Sequence, residues 1–262
     1  MPFSLLKMRN IGGGEIQEMP GLPERQLMPS NPEYVETQGA ASGDIQQVCQ
    51  ERTRLYSLLS RLYEREIDAP LLEQMLTSSR DAQDGHMLPC DFVTQANACG
   101  TNQAVQDLAT EFAALFLSGN RQRRVFPYES VYTSAEHLMM QESRDAVMNI
   151  FQTANLRRGD NVREPEDHIA LEMAYMAHLN LEAAKASDQA GWQKAIALQQ
   201  DFLRQHLMVW ALDFCADLKK ASRSAFYLWL AEFTRDFLTD EEEALRQLHQ
   251  TNPDFTGRKH YD

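Results

Sequence analysis

The chain lacks nearly every short signature that marks a cofactor or a catalytic nucleophile. Across its 262 residues no GxxxxGK[ST] and no GxGxxG occurs, so no glycine loop is written to cradle a phosphate. No GxSxG sets a serine on a strand–helix elbow. None of the seven histidines stands three residues after a glutamate, and HExxH is missing. That removes the ligand patterns of di-iron bundles and zinc proteases. The four cysteines (Cys49, Cys90, Cys99, Cys215) have no CxxC spacing, which argues against a zinc knuckle or redox dithiol and fits reduced thiols. No uninterrupted apolar run reaches the ~18 residues of a membrane span. The opening "MPFSLLKMRNIGGG" has too short an apolar run, and no paired arginines, for an export signal. A cytoplasmic location is therefore expected.

Positive charge is also scarce. Lys and Arg number 25 against 38 Asp and Glu, giving a formal net charge of -13. Such a field repels phosphate and disfavours nucleic acid or an anionic membrane as partner; it favours cations.

What is present is helical. Residues 1–44 are dense in Gly, Pro and Ser without a sustained period and predict a flexible extension; residues 45–262 form the folded domain. "QQVCQERTRLYSLLSRLYERE" sets Leu55, Leu58, Leu59 and Leu62 on one face. "PLLEQML" is a short helix with Pro70 near its start. "TNQAVQDLATEFAALFL" is another, with Leu108, Phe112, Leu115 and Phe116 on its apolar side and Gly119 as its stop. Between Trp192 and Asn252 there is neither Gly nor Pro, a length of chain that a β-rich fold hardly tolerates. The apolar face shifts within "RQHLMVW", which predicts a bend there. The fold class is all-α, a single bundle-like domain.

Two stretches concentrate chemistry. "REPEDHIALEMAYM", 163–176, opens a helix. Pro165 suits a first turn, and Glu164, Glu166 and Asp167 suit the positive end of the helix dipole, so simple capping explains much. Two details go further: His168 and Glu172 share a face four residues apart, and Glu172 interrupts an apolar pattern where a carboxylate needs a partner or solvent. The set could hold a cation at the mouth of a groove. "FPYESVY", 126–132, brings Pro127, Tyr128 and Ser130 into a loop, as core plug or as groove wall. "RQRR" (121–124) reads as a solvated loop or an anion contact, and "DEEEALRQL" from Asp240 as a solvated helix start. Trp210 and Trp229 read as core.

Taken together these stretches resemble the TorD/DmsD family of cytoplasmic chaperones for molybdenum-containing redox enzymes. The resemblance rests on "EPEDH" (164–168) against the family's E-P-x-D-H, on "FPYESVY", on "EFAALF" (111–116), and on "FLRQHLMVWALDF" followed by "AFYLWLAEFTRDFL". It spans roughly residues 46–250. It departs at Tyr128, where relatives often carry tryptophan, at Phe126, and in the extension 1–44. The resemblance implies an all-α fold and no enzymatic activity. It also implies binding of a molybdoenzyme catalytic subunit through its twin-arginine signal peptide, delaying export until the cofactor is inserted, by a monomer or a domain-swapped dimer.

A twin-arginine peptide presents two guanidinium groups and then an apolar stretch. Carboxylates that accept paired hydrogen bonds recognise guanidinium best. Glu166, Asp167 and Glu172 are the expected acceptors, with Pro165 and His168 beside them; Phe112, Leu115, Phe116, Pro127, Tyr128 and Ser130 are the expected groove. The half-charge of the dipole opposes an arginine, and two or three ionised acids outweigh it. Three rivals stay open. One is a phosphate ligand, such as GTP or molybdopterin, on this helix start with Arg157, Arg158 and Arg163. Another is an Asp167–His168 acid–base enzyme, and the third an adaptor for the folded client body.

Overall fold

A computed structural model describes residues 5–8, 42–81, 88–117 and 123–250. In chain order these are β1 (Leu6–Met8), α1 (Ser42–Glu64), α2 (Ala69–Asp81), α3 (Cys90–Cys99), α4 (Thr101–Phe112) and α5 (Glu129–Thr133). There follow α6 (Glu142–Thr153), β2 (Leu156–Arg158), α7 (Ile169–Ala184), α8 (Gln189–Phe202), α9 (Met208–Ala221) and α10 (Ala225–Gln250). The all-α expectation holds, apart from one three-residue ribbon of β1 and β2. Gly119, Arg121 and Gln122 lie outside the described residues.

Helix α7 is the centre. From Ile169 to Ala177 every residue is buried, which requires cover on all sides and is why "IALEMAYMA" is apolar almost throughout. Helix α1 lies along it, presenting Leu58, Leu59 and Leu62, and Ser60 Oγ donates to Ala170 O at 2.7 Å. Helix α8 packs on another side, Trp210 of α9 reaches Glu172, and α10 packs on α8 and α9. Tyr63 and Thr234 hydroxyls meet at 2.8 Å between α1 and α10, both buried.

The acidic run from Asp240 is not a helix start. No glycine or proline interrupts the chain there, so α10 runs through it. Glu241 faces inward and accepts from Arg52 Nε at 2.7 Å, both side chains 8% exposed. The bend expected in "RQHLMVW" is a π-helical turn, Leu203–Leu207, joining α8 to α9. The extra residue in that turn rotates His206 inward. A second π turn, Ala113–Leu117, extends α4.

Within the segment read as an extension, the structure docks one piece. β1 pairs antiparallel with β2, Leu6 opposite Arg158, Lys7 opposite Arg157 and Met8 opposite Leu156. Leu5 and Leu6 are buried in the core. Periodicity over three residues was too brief to announce it.

Candidate functional site

The two motifs meet. Residues 127–129 run antiparallel to 167–169: Glu129 N donates to Asp167 O at 3.0 Å and Ile169 N to Pro127 O at 2.9 Å, with Tyr128 bridged to His168. Each motif therefore fixes where the other's helix begins.

The caps are exchanged relative to a simple reading. His168, not Asp167, caps α7: its Nδ1 accepts from Ala170 N at 3.1 Å, so the neutral ring carries its proton on Nε2. Burial pushes the imidazole down to about 4, since a charged ring has no water there. Asp167 caps the other helix, α5. Its Oδ2 accepts from Ser130 N at 3.0 Å and from the Ser130 hydroxyl, while Oδ1 is buried without a partner. Burial raises the Asp167 carboxyl above its ordinary range, against the pull of the Ser130 donors.

Below this crossing lies a polar layer that sequence reasoning only partly saw. Glu172 Oε2 accepts from Trp210 Nε1 at 3.1 Å. Glu129 Oε2 lies 2.9 Å from His206 Nδ1. Burial, and then the negative charge of Glu129, hold the Glu172 carboxyl well above the usual carboxylate range, because both disfavour its charged form. Glu129 lies within "FPYES" with no local signal to mark it, and His206 reaches it only through the π turn. Trp210, read as core, is core with its N–H spoken for.

Above the crossing the acids are paired as well. Glu166 accepts from Arg144 Nε and pairs with Arg158 Nε, each at 2.8 Å. Glu164 Oε2 accepts from Tyr128 OH at 2.5 Å; both side chains are half-buried. Tyr128 also packs edge-on against His168, ring centres 5.1 Å apart.

Several expectations are thus placed differently. Asp167, Glu172 and Ser130 are fully buried and Pro165, Pro127, His168 and Glu166 nearly so; they are not open carboxylates at a groove mouth. The excess of ionised acid expected there shrinks, because burial disfavours the charged form of Glu172 and Glu166 is shared by two arginines. The reason is packing: a second segment and a second helix lie on the helix start, and its acids became their caps. Phe112 and Leu115 point into the core. Phe116 is half-buried among Phe112, Tyr63, Tyr227 and Phe214, centroids 5.0–6.5 Å away. Tyr128, Glu164 and Phe116 remain accessible.

Of the three arginines offered for a phosphate, Arg163 is exposed and the other two are occupied. Arg157 pairs with Asp160, and Arg158 with Glu166 and with Glu164 O. In the basic loop Arg123 pairs with Glu111 at 2.5 Å, and Arg124 stacks 4.7 Å over the Phe126 ring.

Comparison with known proteins returns the same region. The family model described as nitrate reductase delta subunit matches residues 90–216, which contain the whole crossing and its polar layer. The chaperone protein TorD of Vibrio cholerae is 26% identical over 210 residues, covering 77% of this chain and 94% of the relative. That of Shewanella pealeana is 28% identical over 218 residues, covering 77% and 93%. That of Shewanella oneidensis is 27% identical over 209 residues, covering 75% and 91%.

Proposed function

We propose, because the chain belongs to the TorD/DmsD family, that it is a chaperone dedicated to one molybdenum-containing redox enzyme. It binds the catalytic subunit and its twin-arginine signal peptide in the cytoplasm and holds the subunit back until its cofactor is inserted. The work is recognition rather than turnover.

The observation that carries the peptide reading is the outer lip of the crossing. There a half-exposed carboxylate, Glu164, is held by the half-exposed Tyr128 hydroxyl. This is the part of the acid cluster that an incoming guanidinium reaches without unfolding a cap, and it offers carboxylate oxygen and an aromatic face together. Pro127, Ser130, Pro165, Glu166, Asp167, His168 and Glu172 act as positioning residues that fix the lip. Phe116, backed by Phe112 and Leu115, offers apolar contact. The net charge of -13 steers a cationic peptide inward.

The experiment is titration calorimetry with a twin-arginine signal peptide from a molybdoenzyme encoded beside this chain, and with its Arg-Arg→Ala-Ala counterpart. Saturable binding that needs the arginines is expected. Glu164→Gln should weaken it by about 1 kcal/mol, roughly fivefold, for one partly exposed charged hydrogen bond. Equal affinity for both peptides would remove the arginine reading and leave the client body as the ligand.

A further inference from the structure

We infer that the edge of β2 is a strand-addition site for an extended peptide, and that β1 occupies it in cis as an internal ligand that the client peptide displaces. The inference rests on the peptide-binding reading above and names a second contact surface for it.

The geometry is that of a seated ligand. Three residues of β1 satisfy the ladder of β2, and Gly159 N donates to Leu5 O at 2.7 Å beyond it. A three-residue ribbon alone is not stable in water. What anchors it is apolar: Leu5 is 5% and Leu6 0% exposed. Lys7, on the outer face, pairs with the largely exposed Asp160 at 3.3 Å. The slot therefore reads main-chain hydrogen bonds from any sequence, takes apolar side chains in its two pockets, and offers an acid to a neighbouring cation. In strand addition the backbone supplies affinity and the pockets supply selectivity. An extended segment in which apolar residues adjoin a cationic one fits it, and the junction between the arginines and the apolar stretch of a twin-arginine peptide is such a segment.

Two further facts favour exchange. Residues 9–41 lie between β1 and α1, and a chain of that length can reach roughly 100 Å when extended, so β1 can leave β2 while α1 stays packed. The slot also adjoins the lip. Arg158, the partner of Leu6 in the ladder, donates to Glu164 O at 2.6 Å and pairs with Glu166. A cavity of about 310 Å³, lined by Phe151, Leu156, Arg158, Val162 and Glu166 among others, opens beside β2.

The test uses the full chain. Leu6→Asp puts a carboxylate where none can be buried and unseats β1. If β1 is seated in nine molecules of ten, its release tightens twin-arginine peptide binding about tenfold, and the variant gains binding of a free Ser-Leu-Leu-Lys-Met-Arg-Asn peptide (residues 4–10) that the native chain lacks. The opposite perturbation is a lock. Lys7→Cys with Arg157→Cys joins paired positions whose Cα spacing in an antiparallel ladder suits a disulfide, in a Cys90→Ser, Cys99→Ser background. Oxidation should abolish peptide binding and reduction restore it.

Native-like peptide affinity in both the locked and the Leu6→Asp chains would overturn the inference and leave β1 a structural strand. If Leu6→Asp does not fold, the lock alone decides. If no chain binds the twin-arginine peptide, the reading of the preceding subsection fails separately. The free residue 4–10 peptide then decides the slot, its binding to Leu6→Asp supporting the slot and its failure to bind overturning it.

Discussion

Removing the Asp167 carboxylate should destabilise the fold before it affects any ligand. In Asp167→Ala, Ser130 N and Oγ lose their acceptor inside a site where Ser130 is 0% exposed. Two stranded donors at about 1–3 kcal/mol each overlap with the 0.5–2 kcal/mol of a lost helix cap, a gross loss of about 3–4 kcal/mol. Part is returned, because the wild-type carboxylate is itself held in a site that resists its charge, as its raised pKa records. A net loss of about 2–3 kcal/mol is expected. Urea unfolding of Asp167→Ala, Ser130→Ala and the double variant measures it, with thermal melts as a second readout, at about 2–4 °C per kcal/mol for a chain of this size. The two losses should be non-additive by at least 1 kcal/mol, since both remove one interaction. A loss below 1 kcal/mol for Asp167→Ala, or strict additivity, would refute the assignment of Asp167 as the cap of α5. It would also restore the acid to the list of free peptide contacts.

The pH response should follow from His168. Its folded value, about 4, lies below its ordinary 6.5, so for this base stability is full above 6.5 and is lost as pH falls through that window, by about 2–3 kcal/mol at pH 4.5. His168→Asn keeps a capping acceptor and should flatten that loss in urea titrations at pH 7 and 4.5; an unchanged slope would contradict a neutral buried imidazole. Glu172 acts in the opposite sense, its raised value favouring the fold below its unfolded range and weakening it as pH rises. Between α1 and α10, Arg52→Met strands Glu241 and should cost about 3–5 kcal/mol, most of it recovered in Arg52→Met with Glu241→Leu. Recovery of less than half in chemical denaturation would show that the pair does more than compensate its own charges.

The sequence by itself determined the helices and their class. Apolar spacing, the proline at 165 and the absence of Gly and Pro between Trp192 and Asn252 are local signals, and a helix hydrogen-bonds only within itself, so local signals suffice. It also marked "FPYES" and "EPEDH" as the informative stretches, and the shift of face in "RQHLMVW". What it could not decide was partnership. Whether the carboxylate of Asp167 faces an incoming arginine or the N–H of Ser130 depends on a segment 37 residues away. The same holds for Glu241 and Arg52, 189 residues apart, and for Glu129 and His206, 77 apart. A buried acid must find a donor or a proton, and which of these it finds is a property of packing. Only the tertiary structure turned the surplus acids into caps and left Glu164 and Tyr128 at the surface. It also seated β1, whose three residues carry no period and pair with a strand that the fold brings to them.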